Sequence, residues 1–162
     1  KKLLFMGQDF GQYQEWSEER ELDWYLLGEA SHQQLQNYVK QLFALYKKYP
    51  ALYANDANPQ GFEWINADDA TRSIYSFIRL SPTGRNNLLF VINYTPVARD
   101  DYRVGVPKRK QYKLILNSRE PEFGGHEHKE QLVYKAVKKE CDGRPYSFAY
   151  PLPAYGVAVF LF

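Results

Sequence analysis

The sequence has one cysteine, one methionine and almost no excess charge: 21 Lys and Arg face 19 Asp and Glu, a formal net charge of +2. The lone Cys141 has no partner for an internal disulfide, which suits a reducing compartment, so a cytoplasmic location is expected. A balance this close to neutral supplies no field for nucleic acid or a membrane surface, and neither is an expected partner. Long apolar runs are missing as well. The stretch from Leu3 to Met6 is too short for a signal peptide or for the ~20 residues of a membrane span. There is no G-x-S-x-G, no phosphate loop and no Cys and His paired in one element, so no catalytic residue is assigned and no cofactor is expected.

What the chain has in abundance is aromatic surface. Its 162 residues, enough for about one domain, include 14 Tyr, 10 Phe and 3 Trp. Such side chains fit half-buried pleated sheets and also stack on sugars. Residues 3–7 form a short apolar run without alternation, the pattern of a strand buried on both faces of a parallel sheet. Only one helix follows it, so its neighbouring strands are expected elsewhere. The chain also opens without a methionine, which reads as a piece of something longer. Residues 8–30 are polar and Glu-rich, with Trp16 and Trp24 embedded, and connections of that length are usually functional.

Ser31 and Gln34 match a capping box, and Leu35, Tyr38, Val39, Leu42, Leu45, Tyr46 and Tyr49 recur at helical spacing until Pro50. A helix over 32–48 follows. Beyond Pro50 the period changes to two. Strands are expected at 61–65, 73–79, 88–94, 102–106, 112–116, 132–137, 146–150 and 156–162, with turn residues between them. The fold class is therefore mainly β: an antiparallel sandwich over 51–162, preceded by a β/α segment over 1–50. Phe77, Phe90, Ile92, Ile115, Phe148 and Val159 are its expected core.

Several clusters invite a functional reading that their surroundings do not support. His126-Glu127-His128 offers two imidazoles, but the preceding Gly124-Gly125 marks an exposed loop, and no metal site is assigned. Lys108-Arg109-Lys110 reads as a solvated hairpin tip. Asp68-Asp69 and Asp100-Asp101 fall in expected turns, where Asp serves the backbone. His32, on the first turn of the helix, is expected to be solvated.

The richest stretch runs from Gly7 through Gln8, Asp9, Phe10, Gly11, Gln12 and Tyr13 to Glu15-Trp16, and on to Leu22-Asp23-Trp24. Carboxylates, amides and flat aromatics delivered after a buried strand are the mixture that sugar binding requires. Here the sequence resembles the last barrel segment of bacterial glycogen (1,4-α-glucan) branching enzymes. The resemblance continues through Gly61-Phe62-Glu63-Trp64-Ile65, Asn93-Tyr94-Thr95-Pro96-Val97, Tyr102-Arg103-Val104-Gly105-Val106-Pro107 and Gly143-Arg144-Pro145-Tyr146-Ser147, nearly the whole chain. It implies a parent enzyme of the α-amylase superfamily. That parent would cut an α-1,4-glucan and rejoin the piece through an α-1,6 bond by a retaining mechanism. Its carboxylates would sit after earlier strands of a TIM barrel, which needs about 250 residues. This chain would then be a C-terminal piece, inactive alone: the last barrel strand, long loop and helix, then the β-domain. The resemblance places Asp9, Gln12, Trp16 and Trp24 near the barrel mouth as glucan contacts, although the family usually has Gly-Glu where Gln8-Asp9 stand. A strand and helix face deprived of their barrel would favour self-association. If instead the β-domain is a carbohydrate-binding module, an open row of aromatics on one sheet face is expected; if it is purely structural, its aromatics are expected to be buried.

Overall fold

The computed structural model describes residues 2–128 and 131–162. One helix, α1 (Ala30–Lys48), is followed by eight strands: β1 (Phe62–Asn66), β2 (Ile74–Arg79), β3 (Leu88–Asn93), β4 (Arg99–Val106), β5 (Gln111–Asn117), β6 (Val133–Lys135), β7 (Tyr146–Leu152) and β8 (Val157–Leu161). All eight fall where the period-two pattern puts them. Six pair antiparallel in the order β1-β2-β3-β8-β5-β6, and β4 and β7 form a second, two-stranded sheet. No helix among the described residues is long and apolar enough to cross a membrane.

The inner face of the larger sheet (Ile74, Ile78, Leu89, Val91, Ala158, Phe160) packs on Tyr102, Val104, Phe148, Tyr150 and Leu152 of the smaller one. Burying aliphatic and aromatic side chains stabilises by roughly 1.5–3 kcal/mol each, so this layer dominates the domain's stability. Outside the smaller sheet, the chain at Cys141 lies so close over Gly105 that a Cβ there would strike the Cys141 carbonyl. Only glycine fits that position.

The outer face of the larger sheet carries a single row of directly paired residues: Trp64, Phe77, Phe90, Val159 and Leu116. Leu45, Tyr49 and Ala51 cover one end of that row, burying Leu88, Leu116 and Val159. The helix and the sandwich thus share a core across residue 50. This arrangement corrects the expected core. Phe148 lies between the sheets, but Val159 lies under the helix, with Phe90 and Ile115 partly buried beside it. Phe77 and Ile92 are half-buried on the outer face. In β2 the aliphatic Ile74 and Ile78 take the inner face with Ser76, and the aromatics take the outer one. Period two fixes which residues share a face, not which face is inside.

Residues 3–7 form no strand. Leu3 is 89% exposed, and the chain coils into consecutive turns around Gly7, whose φ of +77° favours glycine. A doubly covered parallel strand needs partners on both edges, and every strand among the described residues belongs to the antiparallel sheets. The capping box is absent too. A 3-10 turn over Trp24–Gly28 runs directly into α1, making Glu29 the N-cap without a side-chain cap bond and leaving Ser31 inside the first turn. Asp100 and Asp101 lie in β4 rather than a turn, beside the irregularity between Arg99 and Tyr102.

Candidate functional site

The segment before α1 is folded around two buried side chains, Phe10 and Leu26, each almost wholly excluded from solvent. Its polar anchor is His32. That imidazole is buried, with Nδ1 2.7 Å from the Phe10 carbonyl oxygen and Nε2 3.1 Å from the Tyr13 hydroxyl. A carbonyl only accepts, so Nδ1 carries a proton and donates to Phe10. The expectation of a solvated histidine is corrected: the first turn of α1 faces the loop, and the loop covers it. Glu29, 3.7 Å from Nε2, stands nearby. No spacing in the sequence marks His32 for this role, because its partners are backbone and phenol some twenty residues back.

The four expected contact residues occupy this loop in different ways. Gln12 folds over Gly7, where a Cβ would collide with its amide carbon; its Nε2 donates to the Gln14 carbonyl at 2.9 Å, and its Oε1 accepts from the Asp23 amide at 3.3 Å. It serves as an internal tie between the two halves of the loop. Trp24 stacks on Phe10, with centroids 5.3 Å apart and planes at 30°, and remains 49% exposed. Trp16 stands edge-on to Phe5 at 5.6 Å with 38% of its surface open. Phe10, not a tryptophan, plugs the loop. Asp9 is half-buried, and its carboxylate makes no hydrogen bond or ion pair with any described residue. One oxygen of Asp23, Oδ2, is buried without a partner. The loop therefore presents two open indole faces and a free carboxylate on a frame held by His32 and Gln12.

Several of the remaining polar clusters are tied up within the fold. Burial raises the Asp69 carboxyl, but Arg72 at 2.6 Å outweighs it and holds the group below its ordinary value. Asp69 also accepts from the Arg72 amide and from Thr71, so it closes its own turn. Burial and the neighbouring Asp142 push the Tyr102 phenol up to about 12 and the Cys141 thiol up to about 11. Lys2 and Arg79 both donate to Asp56, at 2.7 and 2.8 Å, and hold its carboxyl down at about 2. Lys108, Arg109 and Lys110 are exposed at the tip between β4 and β5, and His126 and His128 are exposed in their loop. No three His, Cys, Asp or Glu side chains come together among the described residues.

Proteins similar to this one share its sequence across the loop and the sandwich together. It is 51% identical over all 162 residues to the 1,4-alpha-glucan branching enzyme GlgB of Butyrivibrio fibrisolvens, of which it covers 25%. The enzyme of the same name from Bacillus caldolyticus is 42% identical over 98% of this chain and 24% of its own length, and that from Aquifex aeolicus 42% over 97% and 25%. The chain spans about a quarter of the length of the curated relatives it matches. Residues 64–162 match the model of the alpha-amylase C-terminal all-beta domain, the span that holds seven of the eight strands and most of β1. The chain belongs to the alpha-amylase C-terminal all-β domain family.

Proposed function

We propose that this chain is the C-terminal portion of a 1,4-α-glucan branching enzyme. In this reading residues 1–50 complete the catalytic barrel, and 51–162 form the domain that supports it. The observation that carries the reading is 51% identity maintained through all 162 residues to an enzyme of that name. The exposed apolar stripe of α1 (Leu35, Leu42 and Phe43) is what a barrel helix turns toward its neighbours.

The partner is an α-glucan chain, met by Asp9, Trp16 and Trp24 at the mouth of the intact barrel, with Gln12 holding their loop in shape. Chemistry belongs to carboxylates on earlier strands. One attacks the anomeric carbon; the other protonates the leaving oxygen and then activates the acceptor hydroxyl. The chain alone is inactive, and the parent works in the cytoplasm.

The test is the source gene. Its upstream sequence should encode earlier barrel strands bearing two carboxylates, which retaining chemistry holds about 5–5.5 Å apart in the folded enzyme. A reading frame that opens at residue 1 would overturn the reading.

A further inference from the structure

The helix covers only part of the larger sheet's outer face. Past Phe90 the row continues through Phe77 to Trp64, and a cleft of about 510 Å³ opens there, lined by Trp64, Ser73, Tyr75, Phe77, Ile92 and Tyr94. That volume lies within the range of about 300–1,000 Å³ typical of small-molecule sites. The aromatic rings form one connected tract: Trp64 stands edge-on to Phe77 at 5.7 Å, Phe77 stacks on Phe90 at 4.8 Å, and Tyr75 meets Tyr94 at 5.7 Å. Trp64 is 49% exposed and Tyr94 61%.

We propose that this cleft is a second glucan-binding site, on the β-domain and separate from the barrel-mouth loop. Two observations define the ligand, and a third concerns the shape of the cleft. The lining holds no Asp, Glu, Lys, Arg or His, in a chain with 21 basic and 19 acidic residues, so the occupant is uncharged. The lining nevertheless carries four polar groups: the hydroxyls of Ser73, Tyr75 and Tyr94 and the Trp64 indole N–H. None of these four bonds to a described residue, so each is available to a ligand. Flat apolar faces beside free hydroxyls match the two surfaces of a pyranose, C–H patches and hydroxyl rim. Finally, Ser73 holds a left-handed backbone at φ +48°, a conformation that residues other than glycine rarely adopt. Its carbonyl accepts from the Tyr94 amide at 3.1 Å, which fixes the rim of the cleft. The α-1,4 linkage of the ligand rests on the function proposed above.

The test titrates the 162-residue chain with maltoheptaose, followed by amide NMR shifts. The expected result is saturable binding, with shifts at residues 64, 73–77 and 92–94. Trp64→Ala and Tyr94→Ala should each weaken it about 5- to 10-fold, and Trp64→Phe should restore part of the loss. Tyr94 is mostly exposed, so its variant should keep the parent melting temperature. Absence of saturable binding, or affinity unchanged in both alanine variants, would overturn the site. So would equal titration by cellohexaose. Concentration-dependent sedimentation abolished by Trp64→Ala would assign the face to a second copy. Protection of Trp64 from oxidative footprinting in the longer protein without glucan would assign it to the rest of that chain. Either result overturns the proposal. Branching by the longer protein is read separately, so a failed site and a failed function are distinguishable.

Discussion

His32 Nδ1 lies 2.7 Å from the carbonyl oxygen of Phe10, and this bond ties the start of α1 to the loop that precedes it. Its other nitrogen meets Tyr13, so one buried ring contacts two positions of a segment that has no strand or α-helix among its described residues. Replacing it by alanine leaves a buried carbonyl unpaired and opens a void. His32→Ala should cost about 1–3 kcal/mol, and red-shifted tryptophan emission should accompany the lower melting temperature. Because Trp24 stacks on Phe10, that shift reads out the loop directly.

Asp56 sets an acid limit. Its folded-state pKa of about 2 lies below the ordinary 3.8, so its contribution is fully present above the ordinary value and disappears as pH falls from there to about 2. Lys2, bonded also to the Leu52 carbonyl, joins Arg79 on this carboxylate and links the N-terminal segment to β2. Urea midpoints for the parent and Asp56→Asn should differ at neutral pH and converge across that acid window.

Cys141 is half-buried, its Sγ 3.4 Å from the Arg103 carbonyl oxygen. Burial and Asp142 push its thiol to about 11, so little thiolate exists at neutral pH. Labelling by iodoacetamide should be far slower than for a free thiol at pH 8, and should accelerate as pH approaches 11. Unfolding in urea should remove the difference.

All eight strands were legible in the sequence because alternation and turn residues mark them locally. The faces were not, since Ile74 and Phe77 lie in the same alternating strand and both are apolar. Helix α1 reads clearly over 32–48, but its true start depends on the preceding 3-10 turn, which no capping residue announces. The strand expected at residues 3–7 follows from an apolar run, but no described strand pairs with it and the segment coils into turns at Gly7. Trp16 and Trp24 were visible as candidates from residue type, whereas the support by His32 and Phe10 comes from contacts between residues 14 to 22 apart in sequence.

Trp16 offers a way to separate binding from packing. It is 38% exposed and leans on Phe5 alone among the described rings. In the longer protein Trp16→Ala should weaken glucan binding by about 1–2 kcal/mol and leave the melting temperature nearly unchanged. A large fall in melting temperature with binding intact would make Trp16 a packing residue.

The apolar stripe of α1 should drive association when nothing covers it. Leu42 is 37% exposed and Phe43 44%. Sedimentation of the 162-residue chain should show concentration-dependent dimers, reduced by Leu42→Glu and Phe43→Glu and unaffected by Trp64→Ala. A strict monomer would contradict this.

The most direct measurement is branching itself. Amylose is incubated separately with the 162-residue chain and with the longer protein from the same gene. Iodine staining and newly formed α-1,6 linkages are then followed. The longer protein should form branches and the chain alone none. Turnover by the chain that survives repurification, or a longer protein that makes no α-1,6 linkages, would contradict the account.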